Sequence, residues 1–265
     1  MKKLTLLFLS LTFTMLTISC SDDDETVLVR EVSQEELDAV LKALEDAEND
    51  QNGGDDMGTV LKCTNGQAPL VVEQDGLIIV EAESANIDNT GWALRNSISD
   101  FTGDGYLVWE GSNSFGTPGL GLLTYKIKIN TPGTYRFVWK SRITIGTNAT
   151  EHNDSWLRFP DADDFFGRKG MSTVFPRGSG KTPTPVGAGS DNWFKIYMNT
   201  AEAWDWASNT SDFDAHPIFV RFDTAKTYTM EISGRSNGHG IDKFTLFTTT
   251  SGQDDSLPIS EVTCE

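Results

Sequence analysis

The stretch Leu122-Leu123-Thr124-Tyr125-Lys126-Ile127-Lys128-Ile129-Asn130-Thr131-Pro132-Gly133-Thr134-Tyr135-Arg136-Phe137-Val138-Trp139 decides the fold class. Tyr125, Ile127 and Ile129 alternate with polar residues, the period of a strand with one face in a core. Thr131-Pro132-Gly133 is turn chemistry, and 135–139 resumes as a second strand, so the spacing predicts a hairpin. Comparable runs recur at 77–80, 106–109, 156–159, 193–198, 217–222, 228–233 and 241–247. Fifteen Phe, seven Trp and twenty-four Gly in 265 residues suit strands and tight turns better than helices. The expected architecture is an all-β, antiparallel β-sandwich.

Outward from this core, the formal charge of −18 argues against nucleic acid, whose binding rests on Lys and Arg at phosphates, and against a basic attachment to lipid. Lys2 and Lys3 precede an apolar run over 4–18, too short for a comfortable membrane span and laid out as a secretory signal. Its end, Thr17-Ile18-Ser19-Cys20, resembles a bacterial lipoprotein signal in which Cys20 becomes the lipidated first residue. Thr17 stands where such signals usually carry Leu. Ser21-Asp22-Asp23-Asp24-Glu25 looks like the acidic export tag of Bacteroidetes-type lipoproteins, which implies the outer face of the outer membrane. Removing the signal takes away two lysines and no acid, leaving a charge of about −20.

The expected layout is a signal at 1–19, an acidic tether at 20–62 and a β-domain at 63–265. In the tether, Ser33-x-x-Glu36 reads as a capping box followed by Leu37, Val40, Leu41 and Leu44 at helical spacing, which predicts a short helix over 34–48. The segment 49–58, rich in Asn, Asp and Gly, reads as a flexible linker. Cys63 and Cys264 flank the β-domain in an oxidising compartment, so a disulfide joining its two ends is expected. Neither has His or Cys neighbours to suggest a metal.

Glu81 and Glu83 are two apart at a strand end, so both point to one face, and Asp242 opens the last long strand run. If the first and last strands meet, three hard oxygen ligands suitable for calcium converge; exposed acids paired with Lys or water are the alternative. The motifs Val80-Glu81-Ala82-Glu83, Gly103-Asp104-Gly105-Tyr106-Leu107-Val108-Trp109, Pro132-Gly133-Thr134-Tyr135 with Arg142, and Gly240-Ile241-Asp242-Lys243-Phe244 together look like carbohydrate-binding module families 6 and 35. The resemblance spans about 70–248. It implies a galactose-binding-like jelly roll, a structural calcium held by Glu81, Glu83 and Asp242, and polysaccharide binding without cleavage. One departure bears on the ligand: the ligand-binding Asn often found two places before the late Asp is Gly240 here, beside His239.

The sugar contacts are therefore sought in residue chemistry. Trp92, Trp204 and Trp206 stand in polar, loop-like surroundings, where an indole face suits the C–H face of a sugar. Trp156 and Arg158 share one face of a strand whose other face carries Leu157 and Phe159, while Trp109 and Trp139 read as core. The loop Asp161-Ala162-Asp163-Asp164-Phe165-Phe166-Gly167 is expected to meet Trp204, Trp206, Arg235 and His239, and its acids leave a second calcium open. The long 160–192 section reads as a functional or mobile loop. Eight basic residues against five acids between 136 and 181 favour a uronic-acid or sulfated glycan. The candidate contacts are Trp92, Arg142, Trp156, Arg158, Trp204, Trp206, Arg235 and His239. His152, His216 and His239 fall in no nucleophile or zinc motif, which argues against an enzyme. The expected protein captures polysaccharide at the cell surface, beside glycan-uptake proteins; the alternatives are a structural or adhesive protein that binds another protein, and a polysaccharide-degrading enzyme.

Overall fold

The computed structural model describes residues 60–185, 189–210, 214–248 and 252–265, all within one unit, residues 55–265. The signal, Cys20 and the predicted tether helix lie outside the described residues. In chain order the strands are β1 (Pro69–Val72), β2 (Leu77–Glu81), β3 (Trp92–Arg95), β4 (Tyr106–Trp109), β5 (Leu123–Lys128) and β6 (Gly133–Ile143). They continue with β7 (Asp154–Arg158), β8 (Asp164–Lys169), β9 (Ser172–Val174), β10 (Gly189–Ser190), β11 (Trp193–Tyr197) and β12 (Asp205–Trp206). The last are β13 (Asn209–Thr210), β14 (His216–Phe222), β15 (Thr227–Gly234), β16 (His239–Phe247) and β17 (Val262–Cys264). A single 3-10 turn, Ala82–Ser84, follows β2.

Two faces pack as a β-sandwich of the jelly-roll kind. The first runs β17–β1–β5–β15–β7–β11. The second runs β2–β16–β6–β14–β8–β9, with β4 also on β16, β3 on β4 and β12 on β6. At one corner β13 pairs with both β11 and β14, so hydrogen bonding continues from face to face. Among the described residues every strand pairing is antiparallel except β1 with β5.

The predicted hairpin is not one. β5 pairs with β1 and β15, whereas β6 pairs with β14 and β16 on the other face. The turn between them is a crossover tied to a distant side chain. Glu73 Oε2 accepts the backbone N–H of Asn130 at 2.8 Å and of Thr131 at 2.7 Å, and the Tyr135 hydroxyl returns to Thr131 O at 2.6 Å. The inward residues Tyr125, Ile127 and Ile129 then face Tyr135, Phe137 and Trp139 from opposite sides of one core. Alternation shows which side of a strand is buried and says nothing about its neighbour.

The core is aromatic at its centre. Phe137 meets Trp139, Phe159 and Phe244 with ring centroids 5.6–6.1 Å apart. Leu157 and Phe159 are buried there as expected, as are Trp109 and Trp139. The long section after residue 160 holds a β-hairpin, β8–β9, that extends the second face beyond β14. Its inward Phe165 packs on Phe159 and Phe194. Cys63 and Cys264 are disulfide-bonded with Cα atoms 5.5 Å apart across 201 residues of sequence. Closing so long a loop contributes roughly 5 kcal/mol by the loop-entropy argument.

Candidate functional site

Glu81 ends β2, Glu83 sits in the 3-10 turn that follows, and Asp242 is the extra residue where the β16–β6 register shifts between Ile241 and Lys243. An extra residue of this kind re-aims a side chain. Here it turns Asp242 toward the end of β2, and all three carboxylates are buried, at 3%, 2% and 0% exposure. The segment Thr102-Gly103-Asp104 closes over them. Thr102 N donates to Asp242 Oδ1 at 3.0 Å, Thr102 Oγ1 to Glu81 Oε1 at 2.7 Å, and Asp104 N to Glu83 Oε1 at 3.0 Å. Gly103 has φ +65°, and a Cβ there would lie 2.5 Å from Glu83 Oε1, so only glycine lets the segment approach this closely.

One oxygen of each carboxylate is thereby satisfied. Glu81 Oε2, Glu83 Oε2 and Asp242 Oδ2 are buried without a hydrogen bond. Burial is the main cause that pushes Glu81 up to about 7, Glu83 to about 8 and Asp242 to about 6, and repulsion from Asp242 on Glu81, and from Glu81 on Glu83, adds to it. The neighbouring cations fall short of neutralising the group. Buried Lys140 lies 3.2 Å from Asp242 Oδ2 and 2.8 Å from Asp255 Oδ2, and buried Lys243 lies 3.2 Å from Asp255 Oδ1. With every group ionised, four carboxylates face two ammoniums, an excess of two negative charges. Among the described residues no three or more His, Cys, Asp or Glu side chains are positioned to hold a metal ion as they stand. The donor set is nevertheless all-oxygen, buried and underbonded, which fits a hard divalent cation.

A second feature is a polar cleft of about 420 Å³ at the loops after β4 and β6 and between β15 and β16. Phe115 stands at it, 56% exposed. The Arg235 guanidinium lies 5.0 Å from the Phe115 ring and 5.1 Å from the Trp156 ring. Arg235 also donates to Asp154 Oδ2, Ser236 Oγ donates to Asp154 Oδ1, and Asp154 is 3% exposed. Asn113 Oδ1 accepts the Asn237 N–H at 2.8 Å, which ties two of the loops together. The cleft thus combines an open aromatic ring with a fork of donors held rigid by stacking and by a buried carboxylate.

The eight predicted sugar contacts do not meet in one place. Arg235 and Trp156 belong to the cleft, but Trp156 is buried under the 110–120 loop and its Nε1 donates to Ser114 O at 2.8 Å, so it supports Arg235 and offers no open face. His239 is fully buried behind Ser155, its Nδ1 2.8 Å from Ser155 Oγ, with burial holding its pKa down at about 3; no ligand reaches it. Trp204, Trp206 and Arg142 lie along the outer side of the second face. Trp204 rests edge-on against Tyr106 at 5.0 Å, half-buried, and its Nε1 donates to Ser99 O. Trp206 is half-buried in β12, 6.0 Å from Lys243, and Arg142 has its Nε buried and unbonded. A Cβ at Gly240 would lie 2.8 Å from Thr144 Cγ2 and 3.7 Å from Tyr106 Cδ2, so the position is closely packed.

Three expectations are corrected. Trp92 is no exposed loop residue: it lies in β3 opposite Trp109, packs on that ring at 5.5 Å and is 4% exposed. Arg158 is engaged, paired with Glu231 and stacked 4.4 Å over Trp193. The expected acidic loop is largely strand β8, and its acids fasten neighbours: Asp161 accepts Thr229 N, Asp163 accepts Asp223 N and the Tyr228 hydroxyl, and Asp164 pairs with Lys181. It does not join Trp204, Trp206, Arg235 and His239. Sequence reading also missed Phe115, Asn113 and Asp154. The signal for Phe115 was a single aromatic in Gly111-Ser112-Asn113-Ser114-Phe115-Gly116-Thr117, where no alternation gives it a core to enter.

No family model matches the chain, and no curated protein matches it. Solved structures similar to it include a GH26-CBM35 beta-(1,4)-mannanase from Podospora anserina, with 16% identity over 70% of this chain and 30% of that chain and a TM-score of 0.40. The CBM35 from Cellvibrio japonicus has 12% identity, 66% and 94% coverage and a TM-score of 0.35. The CBM35 from Paenibacillus barcinonensis has 15% identity, 66% and 94% coverage and a TM-score of 0.29. The chain spans less than a third of the mannanase.

Proposed function

We propose that the chain is a non-catalytic glycan-binding protein, carried on a lipid-anchored tether at the cell surface, whose sandwich is completed by calcium. The observation that carries the binding reading is the loop cleft, in which exposed Phe115 stands beside Asn113, Arg235 and Asp154. The ring offers an apolar surface to a pyranose C–H face. Arg235 donates to its hydroxyls in an orientation fixed by Asp154 and by the two aromatic rings. Asp154 is held by Arg235 and Ser236, which suits an orienting acceptor better than a mobile acid or base.

The calcium reading is supported by Glu81 Oε2 and Glu83 Oε2, buried without a partner, by Asp242 Oδ2, which has only the Lys140 ammonium at 3.2 Å, and by the two uncompensated charges around them. Glu81, Glu83 and Asp242 would hold the ion, which supplies the positive charge that allows all three to ionise in a buried site. Lys140 and Asp255 orient Asp242 from the opposite side. The test is affinity electrophoresis of the full chain on gels containing neutral and acidic polysaccharides. Retardation on at least one neutral glycan that Phe115→Ala weakens about tenfold supports the cleft. No retardation on any of them sinks the reading.

A further inference from the structure

The outer side of the second face carries a row of side chains in register. From β16 through β6 and β14 to β8, Phe247 stands opposite Arg136, Arg136 opposite Phe219, and Phe219 opposite Phe166. At about 4.8 Å per strand the row is roughly 14 Å long. Phe219 and Phe166 stack at 5.8 Å with 15° between their planes. Arg168, the next outward residue of β8, lays its guanidinium 4.6 Å from Phe166 and 5.9 Å from Phe219, and Arg136 lies 5.9 Å from Phe247. Phe166 and Phe247 are buried beneath, Phe219 and Arg136 are half-buried, and Arg168 and Lys169 are exposed.

A guanidinium stacked on rings keeps its N–H edge directed outward, as an anion receptor requires. The acids nearby are engaged elsewhere: Asp164 pairs with Lys181 at 2.7 Å, Asp223 with Arg221 at 3.1 Å, and Asp163 accepts Asp223 N and the Tyr228 hydroxyl. Among the described residues neither Arg168 nor Lys169 has a carboxylate partner. In a chain of net charge −18, cations left unpaired beside ordered aromatic rings are the reverse of a generic solvated surface. Lys169, exposed at the β8 end, points to the other side of the strand and adds charge only at the edge of the row, whose cations are Arg136 and Arg168 with Phe219 and Phe166 between them.

The geometry points to a second binding surface, separate from the loop cleft, that takes the carboxylate or sulfate groups of an acidic polysaccharide. Alternating rings and cations along the sheet match a polymer that alternates C–H faces with acid groups. The surface depends on the glycan reading only for the choice of polymer. Because the whole chain repels polyanions, the attraction is local and weakens steeply once the screening length falls below about 8 Å.

The experiment measures retardation of the full chain on polygalacturonate, dextran sulfate and neutral dextran, with phosphatidylglycerol vesicles as a further arm. The expected result is retardation on one or both acidic polymers at low salt, weakened tenfold or more by combined Arg168→Glu and Lys169→Glu and kept by Phe115→Ala. The two acidic gels separate carboxylate from sulfate recognition. An unchanged melting temperature for the double variant shows that its loss is not unfolding, and Arg168→Lys supplies a milder variant. Equal retardation of wild type and double variant overturns the proposal, as does no retardation on either acidic gel. Binding to vesicles alone assigns the surface to lipid and also overturns it. Failure here with intact neutral-glycan binding leaves the cleft standing, and the converse result leaves this surface standing.

Discussion

Glu73 and the Glu81–Glu83–Asp242 group are both buried carboxylate sites near the start of the domain, and they are built in opposite ways. Glu73 is fully buried, yet both oxygens are filled: Oε1 accepts the Gly76 N–H, and Oε2 accepts those of Asn130 and Thr131. Its charge is solvated by the backbone of the crossover it fastens. In the second group one oxygen of each carboxylate takes a good donor, while Glu81 Oε2 and Glu83 Oε2 are left without a partner and Asp242 Oδ2 has only the Lys140 ammonium at 3.2 Å. Burying a charge is tolerable when donors replace water, and Glu73 shows this chain doing so with its own amides. In the second cluster the same chain leaves two such oxygens bare and gives the third only an ammonium, and the calcium proposed above would supply the charge its own donors do not.

The largest expected effect breaks the closed site. Glu73→Ala strands buried amides of the crossover and should lower unfolding stability by about 3–5 kcal/mol, equally in calcium and in chelator, in urea titrations. The next sharpens the open site. Calcium at 100 times its dissociation constant should stabilise the wild type by about 2.7 kcal/mol, on the order of 5–10 °C in melting temperature, and Asp242→Ala should erase that difference. Identical wild-type melting in calcium and EDTA would refute the metal assignment.

A pH series sharpens the contrast further. Glu81, Glu83 and Asp242 have folded-state pKa values raised to about 7, 8 and 6, so the metal-free folded chain binds more protons than the unfolded one between about pH 4 and 8. Metal-free stability from these groups is therefore highest in acid and falls as pH rises through that window. Calcium should oppose the fall, so its melting-temperature gain should be larger at pH 8 than at pH 5, by at least roughly 3 °C. The smallest effect lies away from both sites. Phe115→Ala should weaken glycan binding about tenfold, or about 1.4 kcal/mol, while leaving the melting temperature unchanged because the ring is exposed.

The long strands were legible because each buries one side over five or more residues; β5, β6, β14 and β16 all follow their sequence alternation or apolar run. Their partners were not. The β5–β6 turn looks like a hairpin locally, but its strands pair on opposite faces and its amides are taken by Glu73, more than fifty residues earlier. Strands β10, β12 and β13 are two residues each, too short to show any period. In β8 the pair Phe165-Phe166 sends one ring into the core and the other onto the outer row, so alternation is hidden by two like residues. The carboxylate cluster was legible from the Glu81–Glu83 spacing and a late Asp. The cleft was not, since Asn113, Phe115, Asp154 and Arg235 come from separate loops and strand ends that only the folded topology gathers.

The Cys63–Cys264 bond also has a mechanical consequence. A pull applied between those two residues would travel through one covalent link and leave the strands in between unloaded, with β1 and β17 paired alongside it. A pull on Arg235 or Asp154 would enter differently: besides the backbone through β16, it loads the β7–β15 and β15–β5 ladders that lie between the cleft and β1. Those ladders, sheared along many hydrogen bonds at once, would share such a load across the first face.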